Sequence, residues 1–537
     1  MPSIKLDGRD VPFEKGDTII RAAHRAGIDV PHYCWHPGLS VAANCRMCLV
    51  EIAPPPGQRG IRLDILRRDP ETGQYKVDNK PKLQPACQVE CADGMSVLSD
   101  SSAHVTEARK AVQELLLLNH PVDCPICDQA GECRLQDYWL EHGRHQKRMR
   151  DEIVHKPKAV SFGPTIVYDA ERCIVCTRCV RFVEEVAKDP VLDKRERGNL
   201  SEITLSPGRQ LDNNYTLMTE YVCPVGALTA KDFRFKARVW FLRSARTVCQ
   251  GCATGCNAHL DYDPRTMTAY RHRPRENLAV NQYWMCDVGM LSYRRAHEAR
   301  VTHARVGGKL AAMGEALDEV KRRLGDVPAG RLALVVSAQH SSEDNFAVAR
   351  LALDHLKAGH VFLSGLPHGP GDGILYHPDK NPNTAGAQAH AGPKAPGSFE
   401  DLLAAIGAGK VTHVVALGAE IPVGEGALAA LGRLSTLVTI AAHEGALVAA
   451  AHVVLPATTW AEAAGTYVNA KGLAQKSEAA IRPRGESRPA WEWAGLVAKA
   501  LGLPFGFAKL AELRRAMAPG AGAEAAPAAA APPGAAP

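Results

Sequence analysis

Sixteen cysteines are the residues of this 537-residue chain best suited to chemistry, and all of them lie between Cys34 and Cys286. They fall into four groups: Cys34, Cys45 and Cys48, with Cys87 or Cys91 downstream; Cys124, Cys127 and Cys133; Cys173, Cys176 and Cys179, with Cys223; and Cys249, Cys252 and Cys256, with Cys286. A disulfide-stapled protein would spread its cysteines more evenly and would need a secretory signal. The start, MPSIKLDGRDVPF, has no basic segment followed by an apolar one, so no signal peptide is read. The spacing points to metal ligation instead. Thiolate is soft and anionic, which suits iron and spreads charge over a cluster. Structural zinc, which paired cysteines also build, is the competing chemistry.

The spacings differ in what they specify. CWHPGLSVAANCRMC (34–48) has a cysteine, a loop and C-x2-C, and a distant fourth cysteine follows. This is the plant-type pattern for a [2Fe–2S] centre with a longer first gap. CIVCTRC (173–179) keeps three cysteines of the bacterial ferredoxin run but lacks its C-P, whereas YVCPVGAL supplies Cys223 before a proline. The two remnants together make one complete [4Fe–4S] site. CQGCATGC (249–256) with Cys286 again offers four thiolates for a [4Fe–4S] cluster, with zinc as the alternative.

The group in NHPVDCPICDQAGEC (119–133) is short of one ligand. Either His120 completes it, or the unused member of Cys87 and Cys91 crosses over. In the second case His120 is a helix-end residue, favoured there as a cation at the C-terminal dipole. The H-x3-C step lets imidazole approach a cluster held by the following loop, and Pro121 restricts the turn between them. The residues alone leave both readings open.

The elements that must position these groups change along the chain. IKLDG turns at Asp7-Gly8 into VPF, and GDTIIRAAHRAG reads as a helix with Asp17 as N-cap and Gly27 as its stop. With the strand CLVEIA this suggests a ferredoxin-like module. SSAHVTEARKAVQELLLLNH reads as a capped amphipathic helix with Val105, Ala108, Val112, Leu115 and Leu116 on its apolar face. A basic run follows at 142–158, either a docking surface or a solvated connector. After about residue 300, LALVVS, a helix from Ser342, HVFLSG, a helix from Phe399 and THVVALG alternate strand and helix, the signature of βαβ units and a parallel sheet. PHGPGDG (367–373) reads as a plain surface loop rather than a phosphate cradle. The Ala/Pro/Gly segment at 517–537 is expected to be disordered.

Composition excludes several classes. No run of 18 apolar residues offers a membrane span. A net charge of +6 over this length is too mild to argue for nucleic-acid binding.

The four groups, in this order, resemble one family: the G subunit, that is the large iron–sulfur subunit, of NADH–quinone oxidoreductase, respiratory complex I. The resemblance rests on CWHPGLSVAANCRMCLVE, PACQVECADGM, HPVDCPICDQAGEC, CIVCTRCVRF, CPVGAL and CQGCATGC, with VVLPATTWAEAAGTYVNAKG (453–472) near the end. It implies that Cys87 completes the [2Fe–2S] set with Cys34, Cys45 and Cys48, and that Cys91 is a bystander. It implies that His120 ligates a [4Fe–4S] cluster with Cys124, Cys127 and Cys133. Two further [4Fe–4S] clusters would sit on Cys173, Cys176, Cys179 and Cys223, and on Cys249, Cys252, Cys256 and Cys286. Exchanging one thiolate for imidazole makes the His120 cluster one unit less negative and so easier to reduce, other things being equal.

The implied fold is multidomain, α+β and α/β. A [2Fe–2S] β-grasp ferredoxin-like module spans 1–100, and a [4Fe–4S] module with one histidine and three cysteine ligands spans 101–145. A bacterial ferredoxin-like [4Fe–4S] module follows at 146–240 and the C-x2-C-x3-C module at 241–300. A molybdopterin-oxidoreductase-like α/β region spans 301–516. No molybdopterin is expected in it, because no cysteine remains after Cys286 to bind molybdenum and the region is shorter than in those enzymes.

The implied role is electron relay, with no catalytic residues in this chain. Electrons would come from an NADH-oxidising flavin subunit and leave toward quinone. The other implied partners are a small [2Fe–2S] subunit, a two-cluster ferredoxin-like subunit and quinone-module subunits. The complex would lie peripherally on the cytoplasmic side of the inner (plasma) membrane, with the Cys249–Cys286 cluster aside from the main route. The principal rival is a diaphorase-type iron–sulfur subunit of an NAD-linked hydrogenase or formate dehydrogenase. A molybdenum formate dehydrogenase and a zinc-bearing scaffold are the others. An [FeFe]-hydrogenase would need further cysteines after Cys286, and there are none.

Overall fold

The computed structural model describes residues 1–419, 421 and 425–517. The low-complexity run after Met517, expected to be disordered, lies outside the described residues. The chain divides into two compact units, Met1–Trp240 and the described residues from Phe241 onward.

The first unit opens with a five-stranded sheet in the order Arg9–Pro12, Ser3–Leu6, Ser96–Leu98, Leu49–Ala53, Gln84–Pro85. Ser3–Leu6 runs antiparallel to Arg9–Pro12 and parallel to Ser96–Leu98. Asp7 and Gly8 make the tight turn with φ of +46° and +82°, a conformation in which the absent Cβ of Gly8 avoids a clash. Ile4 and Leu6 on this sheet bury fully with Ile19, Ala22 and Ala23 of helix Ile19–Arg25. Each large aliphatic so buried contributes about 1.5–3 kcal/mol relative to exposure. The helix N-cap is Thr18, not Asp17. The Asp17 carboxylate instead accepts the Glu14 N–H (2.6 Å) and pairs with Arg25, so its partners lie before and beyond the first turn. Gly27, at φ +69°, ends the helix as expected.

Helix Ala103–Leu117 begins at an N-cap Ser102 that accepts from Val105 N–H. Of the predicted apolar stripe only Val105 is fully buried: Arg109 and Gln113 take the other buried positions, and Leu115 is 67% exposed. The reason is a polar partner surface. Arg109 donates to Ser99 (2.6 Å) and Asp100 (2.5 Å), while Gln113 accepts from Tyr33 (2.6 Å) and donates to the Leu135 carbonyl (3.0 Å). The basic connector is tied back to this helix, Arg144 to Glu107 (3.0 Å) and Arg148 to Glu114 (2.6 Å).

The rest of the unit has a three-stranded antiparallel sheet of Val160–Ser161, Ile166–Tyr168 and Leu228–Ala230, with helices Arg178–Glu185 and Leu217–Val222. The second half of this module returns antiparallel to the first and brings Cys223 back beside the 173–179 loop.

The second unit begins with an antiparallel sheet, Arg243–Val248, Asn257–Asp263 and Thr268–Pro274, followed by the short helix Asp287–Leu291. A seven-stranded sheet follows, in the order Lys309–Leu310, Arg305–Val306, Val453–Pro456, Thr436–Ala441, His413–Leu417, Leu332–Ser337, His360–Ser364. The last five strands are parallel and the first two form an antiparallel edge. All six residues of Leu332–Ser337 are buried. Leu332, Leu334 and Val336 enter one core and Ala333 and Val335 the other, as a sheet covered on both faces requires. Helices begin at Ser342 and Phe399 as read, the latter under a full Ser398–Asp401 capping box. No described helix is long and apolar enough to cross a membrane.

Candidate metal centres

The first cysteine loop is held by residues in the left-handed region. Ala43 (φ +49°) and Arg46 (φ +62°) flank Cys45. Such positions turn successive N–H groups inward, the geometry of an anion nest. The side chains of Cys34 and Cys45 hydrogen-bond each other, as do those of Cys48 and Cys87. The Cys45 hydrogen bond, then the Cys45 and Asn44 amides and the Arg181 charge, bring the Cys34 thiol down to about 5 against its burial. Cys45 moves up, because it holds the proton of the pair. Cys91 is half-buried apart from this pairing: its N–H donates to the Asp17 carbonyl (2.8 Å), and burial with the Asp17 charge pushes its thiol up to about 11.

The 173–179 loop repeats the device. Val175 (φ +52°) and Thr177 (φ +61°) flank Cys176, and the Val175 N–H points at the Cys173 sulfur (3.4 Å). The Cys179 thiol is pushed well up by burial and then by Cys176, Cys173 and Cys223, so one group is drawn from two distant stretches. In the second unit Gly251 N–H meets the Cys249 sulfur (3.3 Å) and Gly289 N–H the Cys286 sulfur (3.4 Å). Cys249, Cys252, Cys256 and Cys286 are 3–4% exposed, and the Cys256 thiol is raised by burial and then by the other three. A Cβ on Gly289 would lie 3.0 Å from the Cys249 sulfur, so glycine gives this helix its close approach.

In the remaining group Cys124 and Cys127 stand at the ends of a 3-10 turn, and Cys133 caps helix Arg134–His142. Burial, opposed by amides and helped by Cys127 and Cys223, carries the Cys133 thiol up to about 12. His120 lies just past the end of helix Ala103–Leu117, its N–H on the Leu117 carbonyl (3.3 Å). Its Nδ1 accepts the Val122 N–H (3.1 Å), which places the ring proton on Nε2; ligation through Nε2 would move that proton to Nδ1 and release this contact. Burial lowers its pKa to about 4, so the imidazole is neutral, the form that can ligate. Asp123, Arg172, Asp169 and Lys158 supply the charges around it, with Arg172 forked onto Asp123 (2.9 and 2.6 Å).

These donor sets fit iron–sulfur chemistry: soft thiols, mostly buried, met by N–H groups, with glycine where backbone must touch sulfur. Among the described residues no three His, Cys, Asp or Glu side chains converge on a single ion. The cores of [2Fe–2S] and [4Fe–4S] clusters hold their ligands farther apart than one ion does.

Three residues went unread in the sequence. Arg178 and Arg181 are 2% and 8% exposed in the middle of the CIVCTRCVRF motif. Their i, i+3 spacing beside three cysteines was the available signal. Gly226 is the third: a Cβ there would overlap the Cys127 sulfur and lie 3.0 Å from the Gln129 Cβ.

In the second unit, the carboxyl ends of Leu332–Ser337, Thr436–Ala441 and Val453–Pro456 open into a crevice lined by Gln250, Arg295, His340, His443 and Trp460. Its cavity is about 30 Å³, room for a water or two. The 367–373 stretch is irregular loop, and the following amides of Ile374, Leu375 and Tyr376 all point at the Asp372 carboxylate (2.9, 3.1 and 2.9 Å).

Four family models match consecutive parts of the chain: "2Fe-2S iron-sulfur cluster binding domain" over 2–66, "NADH-ubiquinone oxidoreductase-G iron-sulfur binding region" over 109–148, "NADH-quinone oxidoreductase subunit 3, ferredoxin-like domain" over 163–229 and "Molybdopterin oxidoreductase" over 234–500. The NADH-quinone oxidoreductase G subunit of Streptomyces coelicolor is 34% identical over 362 residues, 66% of this chain and 40% of that protein. Its counterpart of the same name in Mycobacterium bovis is 31% identical over 378 residues, 68% and 43%. The mitochondrial NADH-ubiquinone oxidoreductase 78 kDa subunit of Candida albicans is 38% identical over 287 residues, 53% and 36%. The chain thus spans between about a third and a half of the length of the curated relatives it matches. Among solved structures, an NAD+-reducing [NiFe]-hydrogenase in the H2-reduced state aligns with 44% of this chain and 91% of its own at 27% identity, with a TM-score of 0.36. Among the described residues this crevice, at about 30 Å³, has no room for the pterin that the C-terminal fold implies. The first three family models, in order and each over a cysteine group, with relatives of one name, settle the family: the chain belongs to the iron–sulfur G subunits of NADH-quinone oxidoreductase.

Proposed function

We propose that the chain is an electron relay in an NADH–quinone oxidoreductase, receiving electrons from an NADH-oxidising flavin subunit and passing them toward quinone. The ligand sets are Cys34, Cys45, Cys48 and Cys87 for a [2Fe–2S] cluster, and His120, Cys124, Cys127 and Cys133 for a [4Fe–4S] cluster. Two further [4Fe–4S] sets are Cys173, Cys176, Cys179 and Cys223, and Cys249, Cys252, Cys256 and Cys286. Module boundaries near residues 100, 145, 240 and 300 go with them. When bound, each cluster takes up and gives up one electron.

The observation that carries this reading is the gathering of thiols distant in sequence. Cys87 reaches Cys48, Cys223 reaches Cys179 and Cys286 reaches Cys256, each in its own packed site. The chain's residues bury most of the thiols and aim N–H groups at several of them. The partners would be the flavin subunit and the other peripheral-arm subunits, including small [2Fe–2S], two-cluster and quinone-module subunits. Contact with the membrane, on its cytoplasmic face, would come only through the complex.

The test is reduction by a physiological donor. The holo chain alone should show no cluster reduction on adding NADH. With the flavin subunit, NADH should develop its EPR signals. Reduction by NADH without a flavin partner, or none in the assembled complex, would contradict the relay.

A further inference from the structure

Two buried arginines in the first unit stand between two of the cysteine groups. The Arg181 guanidinium donates through one nitrogen to the carbonyls of Cys34 (2.5 Å) and Cys176 (3.4 Å), one residue from each group. Its other groups reach the Ser40 carbonyl and the Thr177 hydroxyl (3.4 Å). Arg178, one helical turn earlier, donates to the carbonyls of Trp35 and Val222 (3.3 Å), the neighbours of Cys34 and Cys223. Among the described residues, every hydrogen-bond acceptor of the two is a carbonyl or a hydroxyl. Glu185, on the same helix, accepts instead from Ser40 N–H (2.9 Å).

A buried cation without a carboxylate is costly, and two of them three residues apart also repel each other. Carbonyl dipoles offset part of that cost but bring no opposite charge. Thiolate-ligated clusters do. Both guanidiniums are felt electrostatically at Cys34 and at Cys176. The missing negative charge therefore has two sources, one on either side.

We propose that Arg178 and Arg181 are the shared counter-cations of the Cys34–Cys87 and Cys173–Cys223 clusters and raise the reduction potentials of both. This rests on the ligand sets given above. Each cluster gains one electron on reduction and becomes one unit more negative, so a fixed cation beside it favours the reduced state. A single residue then holds two neighbouring potentials up together, and substitution cannot move one alone.

The test is an EPR-monitored titration of the anaerobically purified full chain with dithionite and mediators, comparing the unaltered chain with R178Q, R181Q and R181K. Each glutamine variant should lower both midpoints, with about a tenfold loss in the reduced-to-oxidised ratio at a fixed potential, or about 59 mV for one electron. R181K, which keeps the charge and loses the fork, should stay near the unaltered values. Iron and sulfide content should match throughout. If R181Q fails to hold its clusters, R178Q and R181K decide: a joint downward shift in R178Q supports the proposal. Intact signals with unmoved midpoints, or movement of one cluster only, would overturn it. Absence of both signals from the unaltered chain would overturn the ligand sets themselves, and this inference with them.

Discussion

Gly226 stands with its Cα against the sulfur of Cys127, so that no side chain can be placed between them. The glycine belongs to the CPVGAL turn that delivers Cys223, and the sulfur belongs to the His120 group. Two ligand loops are thereby packed backbone on thiol. Gly226→Ala should force them apart and strip iron from the His120, Cys124, Cys127 and Cys133 site, a loss of about four of about 14 irons per chain. Iron analysis with EPR of the purified variant checks this. Full iron content with an unchanged spectrum would show that the close approach does not matter.

Cys87 and Cys91 should behave oppositely. Cys87 pairs with Cys48, whereas Cys91 lies against Asp17. Cys87→Ser should erase the [2Fe–2S] EPR signal and Cys91→Ser should leave it intact. The reverse result would exchange the two assignments.

Glu462 and Arg300 form a forked pair (2.9 and 2.7 Å) in the second unit, with side chains 0% and 4% exposed. Glu462 also accepts the amides of Thr459 (2.9 Å) and Arg484 (3.1 Å). Glu462→Ala should destabilise this unit by about 3–5 kcal/mol, because it leaves a buried guanidinium unpaired. Denaturant unfolding followed at a second-unit probe measures it.

His272 is fully buried, contacting the Thr247 hydroxyl (2.9 Å) and the Ser292 hydroxyl (3.1 Å) and stacked on Trp460. Burial lowers its pKa from 6.5 to about 4. The unfolded chain therefore binds this proton first as pH falls, so stability is present above 6.5 and is lost between 6.5 and 4. The loss should reach about 2 kcal/mol by pH 5 and level off near 3 kcal/mol below pH 4. Unfolding free energies at pH 7 and pH 5 check the direction, and His272→Gln should flatten the dependence.

What was legible in the sequence was local or periodic. The Asp7-Gly8 turn, the strands from Leu332, His360 and His413, and the helices from Ser342 and Phe399 depend on neighbouring residues and on alternation, and they lie where expected. Helix Ala103–Leu117 was found, but its buried face was not. Arg109 and Gln113 are inside because Ser99 just before the helix, and Tyr33 and the Leu135 carbonyl away from it in sequence, need polar partners. Asp17 failed as a cap for a similar reason, since Arg25 and the Glu14 amide claim its carboxylate. The C-x2-C and C-x3-C runs stood out because close ligand spacing is itself a local pattern, whereas Cys87, Cys223 and Cys286 lie tens of residues from the runs they are grouped with. Arg178, Arg181 and Gly226 did not stand out, because a buried cation or a glycine against a sulfur is defined only when two separate loops meet.

The central claim is that fifteen of the cysteines, with His120, hold iron–sulfur clusters, and the most direct measurement is iron, acid-labile sulfide and zinc on the anaerobically purified full chain. One [2Fe–2S] and three [4Fe–4S] clusters predict about 14 irons and an equal number of sulfides per chain, with zinc near zero. Near-stoichiometric zinc without iron or sulfide would contradict it.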